Sequence, residues 1–238
     1  MTRFSVAASS PPLIVAPYAD WMHVPPLVRG SVFVRTVSLV SGLFLFAFGI
    51  VLLLESGLGL SPWDVLAQGI SDHSALSFGT ANIVIAVVVL VVAWALGARI
   101  GPGTVANAVL IGLMVDGLVA VDAIDGLSGS PLAVRIVLMT AGILIIGVGT
   151  GFYIGAGMGA GPRDSLMLVT ARRTGVRIGI ARATIEVAVT AAGFALGGTV
   201  GIGTVAFAFG IGPAVELSFW LLERSPIADA TQNASHAA

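Results

Sequence analysis

The sequence predicts an all-α polytopic membrane protein: six transmembrane helices in two inverted three-helix repeats, each with a short interfacial or re-entrant helix. Three observations predict it. Of the 238 residues, 57% are hydrophobic and only 10% are charged, whereas a soluble domain carries roughly 25% charged residues. Six stretches reach the roughly 17–25 apolar residues needed to cross a bilayer. The chain also matches itself without a gap at an offset of 100 residues, with 27 of 82 positions from Val34 to Val115 identical to their partners. Self-similarity at a fixed period marks a duplicated architecture. The identities include Arg35/Arg135, Pro62/Pro162, Asp64/Asp164 and Thr104/Thr204, which composition alone would not repeat.

In chain order, residues 1–31 read as a flexible cytoplasmic tail. Pro11, Pro12, Pro17, Pro25 and Pro26 interrupt every run that could form the apolar core of a signal peptide, and Trp21 and Met22 are placed to lie on the membrane surface. Repeat 1 covers 32–122, with spans at 32–54, 80–96 and 104–121. Repeat 2 covers 123–222, with spans at 132–154, 180–196 and 204–222, and a cytoplasmic tail follows over 223–238. The fifth span is the least apolar, because Arg182 and Glu186 lie inside it. The linkers 55–79 and 155–179 are too short and too polar to cross fully.

Charge placement sets the orientation. All eleven basic residues are arginine, and basic residues accumulate on the cytoplasmic side. With the N-terminus inside, the cytoplasmic segments and span ends hold Arg3, Arg29, Arg35, Arg99, Arg163, Arg172, Arg173, Arg177, Arg182 and Arg224. The outer side holds Arg135 alone, near Asp122 and Asp125. Both termini are therefore expected on the cytoplasmic face of the plasma membrane. Three spans per repeat is an odd number, so the second copy enters the membrane upside down. The linkers agree with this: 55–79 contains no arginine, whereas 155–179 contains four. Inverted repeats related by an axis in the membrane plane are the architecture of many secondary transporters.

The most informative motif is Gly-x-Gly-x-(Ser/Gly)-Pro-x-Asp-x-Leu, at Gly57–Leu66 and again at Gly157–Leu166. It reads as a helix start. Ser61 can accept a hydrogen bond as an N-cap and Gly161 offers the bare-backbone alternative. Proline just inside the start loses no hydrogen bond. Asp64 and Asp164 place a carboxylate in the first turn, at the positive end of the helix dipole. The helices are expected to run to Gly69 or Ser71 and to about Arg172. If they dip into the membrane, their starts approach the midplane from opposite sides and form a site for an anionic group. If they lie on the surface, the aspartates are caps and nothing more.

Polar residues within the spans are the other candidates, since a charge at bilayer depth is costly and faces the bundle interior. Asp116 and Glu216 occupy equivalent depths in the third span of each repeat, and Asn107 lies in the same span as Asp116. In second rank stand Asn82, its repeat partner Arg182, and Glu186, four residues from Arg182 on one helical face. The run Gly147–Gly161 follows a membrane helix, not the strand that a dinucleotide fingerprint requires. Its glycines at 147, 151, 155 and 159 instead suit close helix packing.

Several functions lack support. A net charge of −1 gives no electrostatic reason to expect nucleic acid. The chain has no cysteine and three scattered histidines, so no metal or thiol site is expected. No catalytic triad or cofactor motif appears, and no enzyme activity or cofactor is expected.

At Gly57–Leu66 and Gly157–Leu166, with the paired Gly-x-Gly-Thr-Val segments at 101 and 201, the chain resembles the YczE/YyaS/YitT group of bacterial integral membrane proteins, and within it the YczE branch. The strings Ser-Pro-Trp-Asp-Val-Leu and Gly-Ala-Gly-Pro-Arg-Asp carry the resemblance, which covers most of 31–222. It implies a polytopic plasma-membrane protein and supplies no catalytic residue. The expected function is a small-solute transporter or permease with its site at the repeat interface. The alternative is a non-transporting membrane scaffold, docking through the basic stretch Arg172–Arg177. The expected partners are the lipid bilayer and a small solute of unknown identity, with room for a second copy or another membrane protein.

Overall fold

A computed structural model describes residues 27–121 and 126–228. The N-terminal segment with Trp21 and Met22, the acids Asp122 and Asp125, and the tail beyond 228 lie outside the described residues. Among the described residues there are eight α-helices: α1 (Val32–Ser56), α2 (Pro62–Asp72), α3 (Phe78–Ala95), α4 (Pro102–Ala120), α5 (Leu132–Gly155), α6 (Pro162–Thr174), α7 (Ile178–Ala195) and α8 (Ile202–Glu223). A turn of 3-10 helix at Leu127–Gly129 leads into α5. Six of the helices, all but α2 and α6, are long and apolar enough to cross a membrane. With 11 and 13 residues, α2 and α6 are about 16–20 Å long at 1.5 Å per residue, well short of a hydrocarbon core of about 30 Å.

α3, α4, α7 and α8 each start two residues before the sequence expectation, and capping explains the shift at α3, α4 and α8. Thr104 and Thr204, taken from sequence as first residues, lie inside the first turn and reach back. Their hydroxyl oxygens accept from the N–H of Gly101 at 3.2 Å and of Gly201 at 3.3 Å. At α3, Ser77 Oγ accepts from the N–H of Thr80 at 3.1 Å, which satisfies one of the donors that a helix start leaves free.

The core forms where α1 meets α5. Gly42 lies on Gly149 and Gly49 on Gly142, so the two helices run antiparallel. A Cβ built at Gly42 would sit 2.7 Å from the carbonyl oxygen of Gly149, and one at Gly149 would sit 2.6 Å from that of Gly42. Only glycine permits this approach, and Leu43, Ile50, Leu53 and Ile146 are packed beside it with essentially no exposure. Two arginines tie the ends of this pair. Arg35 donates from Nε to Ala156 O (2.7 Å) and from Nη2 to Gly157 O (2.8 Å). Arg135 donates from Nε to Ser56 O (2.7 Å) and from Nη2 to Gly57 O (2.8 Å). Each bond has a counterpart 100 residues on, with the two copies exchanging roles.

The same exchange recurs at the loops. The N–H of Gly103 donates to Met158 O at 2.9 Å, and that of Gly203 to Leu58 O at 2.7 Å. Gly59 and Gly159 have φ of +118° and +122°, a region that L side chains avoid. Of the small residues expected to pack closely, Gly147 meets Ala214 and Gly151 meets Ser218, both on α8. Gly159 instead meets Gly101 and Thr104.

Around this core α4 packs on α1 and α8 on α5, while α2 and α6 both pack between α3 and α7. Val28 pairs with Ala228 as an isolated bridge, and the N–H of Arg29 donates to Ile227 O at 2.8 Å. The entry to α1 and the exit from α8 therefore share one end of the bundle. The copies differ in one respect. α3 packs along α4, whereas α7 and α8 barely touch. Seven residues of α3 are buried, but only Ala181 and Gly193 of α7.

Candidate functional site

The first turns of α2 and α6 meet inside the bundle, and a cavity of about 220 Å³ lies beside them. Ser61 and Asp64 are 3% and 1% exposed, so α2 begins in the interior and not on a surface. Ser61 does not cap α2 as expected. Its hydroxyl donates to Asp64 Oδ2, because a charged acceptor three residues on makes a stronger hydrogen bond than the neutral alternative. At the other start, Gly161 leaves room for the amide of Asn107, which a Cβ would crowd at 3.1–3.2 Å. Asp164 accepts a hydrogen bond from Tyr153 OH at 2.6 Å.

Position 163 joins the two halves. Arg163 Nη2 donates to Asn82 Oδ1 at 2.6 Å and lies 3.9 Å from Asp64 Oδ1. The guanidinium also sits over the Trp63 ring, 5.4 Å from its centroid, within range of a cation–π attraction. Trp63 and Arg163 are counterparts in the two copies, so the two helix starts meet at equivalent residues. The arginine count assigned Arg163 to the cytoplasmic side. α6 starts inside the bundle and carries Arg163 to an acid, an amide and an aromatic ring, so it is a site residue as well as a charge of that linker. Sequence reasoning missed Arg163, Trp63 and Tyr153 as site residues. The available signal was the position of 63 and 163 between the repeated Pro and Asp.

The cavity continues between α7 and α8. Arg182 Nε donates to Glu186 Oε1 at 3.0 Å, and the pair lines the cavity together with Glu216 and Asn107. Ser61, Asp64, Asn82, Gly161 and Asp164 also border it, but Asp116 does not. Asp116 is held against the start of α3, accepting from the N–H of Gly79 at 2.8 Å, from Thr80 Oγ1 at 3.3 Å and from Ser77 Oγ. Asp116 and Glu216 were expected to share one site. They are separated because α3 is packed on α4 while α7 stands away from α8.

Among the described residues, three buried side-chain atoms of cavity-lining residues have no hydrogen-bond partner: Asp64 Oδ1, Trp63 Nε1 and Asn82 Nδ2. Among the described residues, no three His, Cys, Asp or Glu side chains are placed together to hold a metal ion.

Six apolar spans around a largely apolar cavity that carries a few charged side chains define a helical integral membrane protein. The chain belongs to a family of unknown function, DUF6198, whose model matches residues 33–219. It is 36% identical over 193 residues to an uncharacterized protein of Haemophilus influenzae, covering 81% of this chain and 87% of that one. It is 35% identical over 169 residues to the uncharacterized membrane protein YczE of Bacillus subtilis, covering 69% and 76%. The uncharacterized protein YyaS of the same organism is 26% identical over 172 residues, covering 69% and 82%. No solved structure matches the chain.

Proposed function

We propose that the protein is a small-solute transporter of the plasma membrane, built from two inverted three-span repeats with both termini cytoplasmic. In this reading α2 and α6 are re-entrant, and the cavity at their starts is the solute site. The antiparallel α1–α5 pair and the exchanged Arg35 and Arg135 bonds support the inversion. The neighbouring ends at Val28 and Ala228 support an even number of crossings.

One observation carries the transport reading: a glycine contact used in one copy is present but idle in the other. Gly79 and Gly112 bring α3 onto α4, and a Cβ at either would sit 2.1–2.3 Å from the carbonyl oxygen of the other. The second copy keeps both glycines, as Gly179 and Gly212, yet a Cβ at Gly212 meets nothing within 4 Å. Two equivalent gates flank one cavity, with one latched by Asp116 and the other open beside Glu216. Alternating access is the exchange of these roles.

Side-specific labelling tests it, helped by the absence of native cysteine. Val215→Cys, at the cavity, is expected to react with a membrane-impermeant thiol reagent from the cytoplasmic side. Val115→Cys, with 0% exposure, is expected to stay unlabelled until Asp116→Asn releases the first gate. Equal labelling of both positions, or solute-tight proteoliposomes that move no amino acid, organic acid or organic cation, would overturn the reading. The scaffold alternative is less favoured, because Arg172 and Arg173 of its docking stretch donate to the α3-end carbonyls of Gly97 (3.5 Å) and Leu96 (2.7 Å).

A further inference from the structure

We propose that the cavity binds a small organic cation, a primary ammonium or guanidinium that also carries a hydrogen-bond acceptor. This rests on the transport reading and names its substrate class. Two helix starts facing a cavity would ordinarily favour an anion. Here each start already holds a carboxylate of its own, Asp64 on α2 and Asp164 on α6, so their positive ends are occupied.

Charge accounting then points the other way. The charged side chains lining the cavity are Asp64, Asp164, Glu186 and Glu216 against Arg163 and Arg182, so acids exceed bases by 4 − 2 = 2. Arg163 stands by Asp64 and Arg182 is bonded to Glu186, which leaves Asp164 and Glu216 without an ion-pair partner among these residues. Asp164 is part-buried and accepts one hydrogen bond, from Tyr153, while Glu216 is exposed at the cavity, so a cationic ligand supplies the charge partner that both lack.

The unpartnered atoms give the second, independent indication. Asp64, 1% exposed, has Oδ1 within ion-pair range of Arg163 but without a hydrogen bond among the described residues. Trp63 and Asn82, 5% and 3% exposed, leave Nε1 and Nδ2 free to donate to an acceptor on the same ligand. Phe46, Phe207 and Phe219 line the wall and suit the aliphatic part or the face of a guanidinium. No cage of three ligating residues exists among the described ones, which favours an organic cation over a metal ion. At protein packing density a cavity of about 220 Å³ holds on the order of ten non-hydrogen atoms.

The test is ligand-induced thermal stabilisation of the full chain in nanodiscs at pH 7.5, with agmatine, putrescine and ethanolamine set against succinate, sorbitol and KCl. Saturable protection by at least one amine and by none of the others is expected. Glu216→Gln and Asp164→Asn should each weaken that amine about ten-fold or more, as removal of a charge partner from a bound cation does. Glu216→Asp should retain most of the affinity, which separates lost binding from misfolding. Protection by succinate or sorbitol alone overturns the cation assignment and leaves the transport reading standing. Protection by acidification alone marks Asp164 and Glu216 as proton sites and likewise overturns it. No saturable ligand, together with equal labelling of Val115→Cys and Val215→Cys, overturns both.

Discussion

The α3–α4 and α7–α8 pairs come from the same ancestral helices and differ in how they are packed. In the first, Gly79 and Gly112 interlock and Asp116 fastens the start of α3. In the second, the glycines remain but Glu216 faces the cavity, and most of α7 is exposed. Duplication thus preserved the parts of a contact without preserving the contact.

The largest effect expected from breaking this comparison comes from paired glycine substitutions. Gly112→Ala drives a methyl group into the Gly79 carbonyl and Ile83, and overpacking of this kind costs about 1–3 kcal/mol. Gly212→Ala meets open space and, with alanine's better helix propensity, should be neutral or slightly stabilising. Thermal unfolding in detergent checks both. Equal losses would show that α7 and α8 are packed like the first pair.

Arg35→Ala and Arg135→Ala sharpen the comparison from the symmetric side. Each removes two charge-assisted bonds to helix-end carbonyls, at a cost of about 2 kcal/mol. The two losses should agree within about 0.5 kcal/mol, because both arginines make the same bonds. A clear difference between the two melting shifts would count against the exchanged geometry.

Asp116→Asn against Glu216→Gln is the smallest of the three contrasts. The asparagine weakens bonds to the start of α3 and should cost about 1 kcal/mol. Glu216 has no bond to lose, so Glu216→Gln should change stability by less than about 0.5 kcal/mol while removing the amine effect. A Glu216→Gln protein less stable than Asp116→Asn would mean that Glu216 is held by its neighbours as Asp116 is.

Much of the fold is legible in the sequence. The spans follow from hydropathy and length, and the missed starts of α4 and α8 follow from reading Thr104 and Thr204 as first residues when they are back-bonding ones. Most of the candidate residues do gather at one cavity, because the repeated Pro-x-Asp motif places its helix starts at the centre. Arg163 was misjudged because an arginine in a polar linker looks the same whether it marks a membrane face or fills a buried pair. Asp116 was misjudged because equivalent depth does not entail equivalent packing.

A further asymmetry is visible once the two copies are compared. Pro213 lies inside α8 where α4 has Leu113, so the Phe209 carbonyl has no backbone N–H from residue 213 to accept. α4 keeps this bond, so the backbone ladder is interrupted in the second copy alone.

Duplication, the six apolar spans and the uneven charge of the two linkers follow from the residue string alone. They depend on local apolar length and on charges counted one at a time. Which helix pair is packed, and which arginine is buried, was settled only in three dimensions. Those outcomes depend on contacts between residues 37 and 81 positions apart. Contacts at such separations leave no mark on local pattern, because hydropathy and capping are read over a few neighbouring residues.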